Sequence, residues 1–163
     1  MSATKENLMV AFAGESQANR KYLAYAKQAE KEGLIQVAKL FRATAEAETI
    51  HAHAHLRNAG KIGDTAANLK DALAGETYEF TEMYPPMITQ AEAAGDKIAA
   101  KFFAYANAVE EVHAKLFKRA IADPKGLAVA DYYLCGICGY THEGPCDACP
   151  VCGAGKNVFF KAE

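Results

Sequence analysis

Features that mark membrane, secreted or nucleic-acid-binding proteins are missing from this 163-residue sequence. No run approaches the ~18 uninterrupted apolar residues that a membrane-spanning helix needs, and residues 1–7 lack the apolar segment of a signal peptide. Tryptophan is absent, and 18 Lys and Arg nearly balance 20 Asp and Glu, which argues against a basic surface for nucleic acid. We therefore predict a soluble, cytoplasmic protein that binds neither membrane nor nucleic acid.

Cysteine is missing from the first 134 residues, and all five cysteines lie between Cys135 and Cys152. Residues 131–163 also carry the whole net charge of −2, because the acids and bases before them cancel. An odd number of cysteines without secretory features favours metal binding over disulfide bonds. The C-terminal segment is therefore predicted to be a small metal-binding module.

The segment before this module has the composition of a helical bundle. It is rich in Ala, Glu, Lys and Leu, and Gly33, Gly60 and Gly95 each follow a long helical run, where a helix-ending glycine is expected. The pattern predicts four helices, at residues 4–32, 34–59, 65–94 and 96–122. Short connections favour a mainly α fold, an antiparallel four-helix bundle. We expect one domain at residues 1–128 and a loop-and-strand metal module at residues 129–163.

The helices contain an internal repeat. The offset between matching residues is 61 at Gly14-Glu15 and Gly75-Glu76, and 62 thereafter. The later matches are Tyr22/Tyr84, Gln28/Gln90, Ala29/Ala91, Glu30/Glu92, Gly33/Gly95, Phe41/Phe103, Glu48/Glu110 and His51/His113. The change of offset means that one extra residue lies between Glu76 and Tyr84. Because a helix usually absorbs a single insertion as a π-bulge, we predict one there.

Each predicted helix has an apolar stripe that glutamate interrupts at its middle. The five carboxylates are Glu15, Glu48, Glu76, Glu79 and Glu110, and Glu-x-x-His pairs add His51 and His113. One such glutamate is most simply read as a solvated surface residue, but two Glu-x-x-His pairs in repeat register favour a shared interior site. Five buried carboxylates repel one another and need cations. We therefore predict two divalent ions, iron or manganese.

Tyr22 and Tyr84 recur beside these acids in both halves of the repeat. A hydrogen bond from each hydroxyl to a metal-binding carboxylate is one interpretation, and simple aromatic packing is the other. His53 points away from His51 along the helix and is predicted to face solvent. His55, one turn beyond His51, is predicted to form hydrogen bonds at the edge of the core.

The C-terminal cysteines form two Cys-x-x-Cys loops that can close one tetrahedral site. We expect Cys135, Cys138, Cys149 and Cys152 to bind one metal ion, because a module of about 30 residues has too little core to fold without one. Cys146 and Cys149 form a competing pair. The glycine after Cys152 repeats the one after Cys138, which favours Cys149 with Cys152 and leaves Cys146 as a spare thiol. This pattern fits zinc and iron equally well.

These motifs resemble the rubrerythrin family over nearly the whole chain. The resemblance rests on Gly-Glu-Ser-Gln-Ala at 14–18, Gly-Glu-x-x-Glu at 75–79, Met-Tyr-Pro at 83–85 and Cys-Gly-Tyr at 138–140. It implies a ferritin-like diiron bundle followed by a rubredoxin-like iron–tetrathiolate domain. It also implies a cytoplasmic, dimeric peroxidase that reduces hydrogen peroxide in defence against oxidative stress, fed by an external rubredoxin or NAD(P)H-linked reductase.

The resemblance also implies roles for individual residues. The first iron takes Glu15, the bridging Glu48, and either Glu79 or His51 according to its oxidation state. The second iron takes Glu76, the bridging Glu110 and His113. Glu79, His51, Tyr22 and Tyr84 are the residues assigned to catalysis. The chain departs from the family in the extra Cys146 and in the ten-residue gap between Cys138 and Cys149.

Other functions fit parts of the same pattern. A ferritin-like protein could use the bundle to oxidise iron for storage, and a zinc-ribbon protein could use the tail for interactions. A dimanganese catalase could use the acids but has no need of an electron-delivering tail. Zinc or manganese could also replace iron in these sites.

Overall fold

The computed structural model describes residues 3–162, and the chain divides into two compact units, Met1–Gly63 and Asp64–Glu163. The first unit contains helices α1 (Ala3–Lys31) and α2 (Ile35–Asn58). The second contains α3 (Thr65–Tyr78), a π-helical segment (Glu79–Met83), α4 (Tyr84–Ala93), α5 (Lys97–Ala122) and three short strands. The predicted mainly helical fold with a small C-terminal module is confirmed.

The first unit is a helical hairpin that turns at Gly33. Gly33 adopts a φ of 75°, and the amides of Gly33 and Leu34 donate to the carbonyls of Glu30 and Ala29 at 3.0 and 2.8 Å. Glycine occupies this left-handed position without the steric cost of a Cβ atom. The turn therefore directs α2 back along α1, as the sequence predicts.

Small side chains let the two helices of this hairpin approach closely. Ala26, Ala38 and Ala45 have 1% or less of their surface exposed. An alanine contact buries little apolar area, but it brings the backbones near enough for polar side chains of α1 and α2 to meet. The hairpin is therefore built to position polar groups across a narrow interface.

The third predicted helix is continuous but changes its winding. α3, the π segment and α4 together cover residues 65–93, and the π-helical turns occupy Glu79–Met83. The Tyr84 amide donates to the Glu79 carbonyl five residues before it, which is the hydrogen bond that defines a π turn. The predicted bulge between Glu76 and Tyr84 is confirmed.

Aspartate residues cap the N-termini of α3 and α5 in the second unit. The Asp64 carboxylate accepts from the Ala67 amide at 2.7 Å, and the Asp96 carboxylate accepts from the Ala99 amide at 2.9 Å. These bonds satisfy amides that have no partner within the helix. α3 and α4 both pack on α5, which brings the repeat's second set of acids onto neighbouring helices.

The C-terminal strands form one antiparallel sheet in the order β2-β1-β3, with β1 at Tyr132–Cys135, β2 at Thr141–Glu143 and β3 at Phe159–Lys161. Leu134 pairs with Thr141 on one side and with Phe160 on the other. Glu143 at the end of β2 forms an ion pair with Arg119 of α5 and accepts from the Tyr132 hydroxyl at 3.1 Å. The sheet is thereby attached to the last turn of α5.

No helix among residues 3–162 combines the length and apolarity needed to cross a membrane. The domain boundary between residues 128 and 129 stays a prediction.

We predict that Gly33→Ala lowers the free energy of unfolding by about 1 kcal/mol, because the substitution places a Cβ atom in a left-handed backbone conformation. Gly33→Asn should cost less, since asparagine tolerates this conformation better than alanine. Thermal or urea unfolding of the three proteins, each with the same metal content, measures the effect. Equal stability of the alanine variant and the unsubstituted protein would contradict the assignment of this turn.

Candidate metal centres

The first candidate metal site is a triad of side chains on the α1–α2 hairpin. Ligand atoms of Glu15, Glu48 and His51 all lie within 4.8 Å of one another. The Nδ1 atom of His51 is 2.8 Å from Glu48 Oε2 and 3.8 Å from Glu15 Oε1. Glu48 and His51 share one helical face because they are three residues apart, and Glu15 reaches them from α1.

A buried asparagine fixes the helices beside this triad. Asn19 is 8% exposed, and its Nδ2 group donates to the Ala45 carbonyl at 2.7 Å and to Thr49 Oγ1 at 2.8 Å. Both partners lie on α2, whereas Asn19 lies one turn after Glu15 on α1. Because both donor hydrogens are used, the bonds set the relative height of the two helices and therefore of Glu15 and Glu48.

The second candidate metal site repeats this arrangement in the other unit. Ligand atoms of Glu76, Glu110 and His113 also lie within 4.8 Å of one another. His113 Nδ1 is 2.7 Å from Glu110 Oε2 and 3.6 Å from Glu76 Oε2. Both imidazoles thus present Nδ1 to two carboxylates.

The electrostatics of the second triad favour a bound cation. Burial raises the pKa of Glu76, hydrogen bonding and repulsion from Glu110 raise it further, and His113 opposes the rise. The Oε2 atom of Glu76 is buried and has no hydrogen-bond partner among the described residues. A buried acceptor without a donor is costly, and a cation would satisfy it. Two carboxylates and one imidazole are also ligands that suit iron and manganese.

Glu79, the first residue of the π segment, interacts electrostatically with the second triad. Burial raises the pKa of Glu79, the charge of Glu76 raises it further, and His113 lowers it. Tyr84, at the end of the segment, has a pKa raised by burial and then by Glu110, Glu79 and Glu76. Both residues therefore lie within the electrostatic field of these carboxylates. Their roles at the metal site stay predictions.

The tyrosines of the repeat also take part in aromatic packing. The Tyr22 ring centroid lies 6.1 Å from that of Phe41 and 6.4 Å from that of Tyr25. The Tyr84 centroid lies 6.3 Å from that of Phe103, the repeat partner of Phe41. The equivalent pairing in both halves accounts for part of the repeat signal, and the hydrogen bonds of Tyr22 and Tyr84 to carboxylates stay predictions.

The third candidate metal site is a cluster of four thiols. Ligand atoms of Cys135, Cys138, Cys149 and Cys152 lie within 4.8 Å of one another. The Sγ atoms of Cys135 and Cys152 are 3.6 Å apart, and those of Cys138 and Cys149 are 3.5 Å apart. Cys146 lies outside this cluster, and its thiol donates to the Ala148 carbonyl at 3.2 Å.

Two equivalent backbone turns hold the thiols. Gly139 and Gly153 follow the second cysteine of each loop with φ of 84° and 76°, and their amides donate to the carbonyls of Cys135 and Cys149, both at 2.9 Å. The next amides, of Tyr140 and Ala154, are directed at the sulfurs of Cys138 and Cys152. This arrangement explains why glycine follows each Cys-x-x-Cys pair.

The pKa values of two of the clustered thiols, Cys135 and Cys138, are shifted in opposite directions. Burial raises the pKa of the Cys135 thiol. Hydrogen bonds from the backbone amides of Cys138 and Ile137, and from the thiols of Cys152 and Cys138, more than offset this rise and lower the pKa to about 7. Burial raises the pKa of Cys138, and the neighbouring thiols raise it further against the Tyr140 amide. The thiolate form of Cys135 is thus favoured, whereas that of Cys138 is disfavoured unless a cation compensates for its charge. The cluster therefore fits a tetrahedral metal ion.

Two residues beside these sites were not singled out as site residues by sequence reasoning. Asn19 is one of them, and an asparagine amid the apolar positions of a helix is a signal for a buried hydrogen bond. Thr141 Oγ1 lies 3.0 Å from His113 Nε2. No periodic pattern could reveal that contact, because it joins residues 28 positions apart on a helix and a strand.

Comparison with known families agrees with this architecture. The profile of the rubrerythrin family matches residues 6–121, and the profile described as the rubrerythrin rubredoxin-like domain matches residues 133–160. The helical match covers most of the chain, and the second match contains all five cysteines.

Relatives and solved structures extend the likeness over the full length. Nigerythrin from Nitratidesulfovibrio vulgaris is 37% identical, with 98% of this chain and 86% of that protein covered. Rubrerythrin from the same organism is 36% identical, with 97% and 93% covered. Two solved structures of nigerythrin, one partially reduced and one fully reduced (all ferrous), each superpose with a TM-score of 0.60. Their identities to this chain are 35% and 34%, and each match covers 99% of this chain and 88% of the nigerythrin chain.

Since both profiles match in the same order as the metal sites, the protein is of the non-haem diiron class that carries its own rubredoxin-like domain. Full-length relatives at more than a third identity narrow this class further. The chain belongs to the rubrerythrin family.

We predict that Glu76→Gln has opposite effects with and without metal. In the metal-free protein the raised pKa of Glu76 means that the folded chain holds its proton more tightly than the unfolded chain. Stability is then lost as pH rises through the folded pKa. The variant should therefore have the higher Tm at about pH 7, and the gap should close as pH falls toward the ordinary value of 4.5.

Manganese or iron loading should reverse this order, because the variant has lost a charged ligand. Thermal unfolding across pH, with and without metal, measures both effects. Glu92→Gln, at an exposed position of α4, is the control and should change neither curve. A metal-free variant that is less stable than the unsubstituted protein at neutral pH would contradict the electrostatic account.

We also predict that Cys146→Ser keeps the four-thiol centre and that Cys149→Ser loses it. The two cysteines are close in sequence, but only Cys149 contributes to the cluster. Metal content per chain and the visible absorption of a ferric tetrathiolate measure the outcome. A lost spectrum for Cys146→Ser together with a normal one for Cys152→Ser would mean that the competing pair, Cys146 with Cys149, binds the metal.

Proposed function

We propose that this protein is a peroxidase that reduces hydrogen peroxide to water, with electrons supplied through its rubredoxin-like domain. The observation that carries the proposal is the presence in one chain of two carboxylate–imidazole triads and a four-thiol cluster. The triads suit redox-active iron, and four thiolates suit a one-electron iron centre. A protein that bound metal only for stability or storage would have no use for that second centre.

The reaction consumes one hydrogen peroxide, two electrons and two protons and yields two water molecules. When bound, a pair of iron ions supplies the two electrons, one from each ion. The chain supplies ligands and protons. The raised pKa of Glu79 lets its carboxyl group hold a proton nearer to neutral pH than an ordinary glutamate does. The raised pKa of Tyr84 keeps its hydroxyl protonated, so that it can donate a hydrogen bond.

Several parts of the proposal come from the resemblance to the family. They are the exchange of Glu79 with His51 as a ligand, a role for Tyr22 equivalent to that of Tyr84, a homodimer, an external reductase as electron donor and a cytoplasmic location. The all-ferrous state of nigerythrin supports iron as the metal in the related protein, and we propose the same metal here.

The experiment that tests the function uses the iron-loaded protein, reduced under anaerobic conditions and then mixed with hydrogen peroxide. We expect peroxide to disappear without release of oxygen while the visible absorption of the oxidised centres appears. With a continuous chemical reductant, turnover should persist in Cys146→Ser. Cys149→Ser should retain one round of oxidation but lose most turnover, because electrons enter through the thiolate centre.

Other outcomes would identify the other functions. Release of one oxygen molecule for every two peroxide molecules consumed would indicate a catalase. Accumulation of many iron ions per chain, with a cage instead of a dimer in sedimentation experiments, would indicate iron storage. Zinc as the only bound metal, with no visible absorption, would favour a zinc-ribbon interaction protein. Each of these results would overturn the peroxidase proposal.

A further inference from the structure

Thr141 connects the helical metal site of the second unit with the four-thiol module. Its Oγ1 atom lies 3.0 Å from Nε2 of His113 and 3.2 Å from the carbonyl oxygen of Gly139. His113 belongs to the triad on α3 and α5, whereas Gly139 follows Cys138 in the thiol cluster. One hydroxyl group is thus in hydrogen-bond contact with both modules.

The direction of both hydrogen bonds follows from the positions of the donors. His113 turns Nδ1 toward the carboxylates of Glu110 and Glu76, so Nδ1 is the atom that a metal ion would use. A neutral imidazole with a metal on Nδ1 carries its proton on Nε2. His113 Nε2 therefore donates to Thr141, and the single hydroxyl proton of Thr141 is left to donate to Gly139.

The fold of the thiol module holds Thr141 at this place. Thr141 pairs in the sheet with Leu134, the residue before Cys135. The Cys135 amide donates to the Tyr140 carbonyl at 2.9 Å, directly before Thr141. The ion pair of Arg119 with Glu143 attaches the far end of β2 to α5. Because the module needs its metal to fold, the position of Thr141 depends on the thiol centre.

We propose that Thr141 is a positioning residue for the helical metal site: it accepts the proton of His113 Nε2, fixes the imidazole tautomer and ring orientation, and thereby couples metal binding in the two modules. Groups that hydrogen-bond the second nitrogen of a ligating histidine commonly change metal affinity by about 10- to 100-fold. By linkage, occupancy of the thiol cluster then raises the affinity of the helical site, and the reverse holds equally. The proposal rests on the proposed metal site but not on the peroxidase reaction.

The test compares Thr141→Val, which keeps the shape and strand propensity but removes the hydroxyl, with Thr141→Ser, which restores the hydroxyl. The full-length protein is loaded with zinc at the thiol cluster and titrated with Mn(II), which prefers oxygen and nitrogen ligands to thiolates. We expect the valine variant to bind Mn(II) about tenfold more weakly and the serine variant to bind it within about threefold of the unsubstituted protein.

A second readout reports the tautomer directly. In 15N-histidine-labelled protein with zinc at all sites, His113 should show a protonated Nε2 whose hydrogen exchanges slowly with water. Thr141→Val should speed this exchange or mix the tautomers. Thr89→Val, which removes an exposed hydroxyl bonded to its own helix at 3.1 Å, is the matched control and should change neither measurement.

Thr141→Ala is tested alongside Thr141→Val, because it removes the hydroxyl without putting a methyl group in its place. Mn(II) affinity within twofold of the unsubstituted protein in both variants, with unchanged exchange at His113, would overturn the proposal. That result would leave the peroxidase proposal intact if the protein still reduces peroxide. The opposite result is also informative. If the unsubstituted protein fails to reduce peroxide but Thr141→Val and Thr141→Ala still bind Mn(II) more weakly than it does, the positioning role is supported and the peroxidase proposal is not.

Discussion

The repulsion between carboxylates packed around one imidazole is the constraint on which the helical part of this protein depends. In the second unit, Glu110 and Glu76 both face Nδ1 of His113, and one oxygen of Glu76 is buried without a donor from residues 3–162. Such a group costs free energy in the metal-free chain and becomes a ligand when a cation is present. The alanine-lined helix contacts and the glycine turns are consistent with a cation site, because they bring helices close enough for three ligand side chains to meet. The stability of the folded protein is therefore expected to depend on metal binding.

The thiol module meets the same constraint with different chemistry. Four sulfurs within one shell cannot all ionise unless a cation is present, and the backbone amides that follow Gly139 and Gly153 are directed at sulfur. Amide donors stabilise thiolates without adding side chains to a module that has little core. The module is thus organised around its four-thiol site rather than around apolar packing.

The π segment shows how one extra residue can change a site. The repeat places equivalent ligand triads in both halves of the chain, but only the second half contains Glu79. This residue begins the π turns and lies where Glu76 and His113 shift its pKa. The insertion turns the residues that follow Glu79 relative to their positions in a regular α-helix. The difference between the two halves of the repeat has its physical origin here.

Local sequence determined most of the architecture, because helix length, glycine stops, the repeat offset and Cys-x-x-Cys spacing all act over a few residues. The helices, the bulge before Tyr84 and the sets of side chains that converge could be predicted for that reason. Periodicity states which face a residue occupies but not which partner it meets across an interface. The bonds of Asn19 to α2 and of Thr141 to His113 were therefore decided only by tertiary structure, where packing sets the distance between groups far apart in the chain.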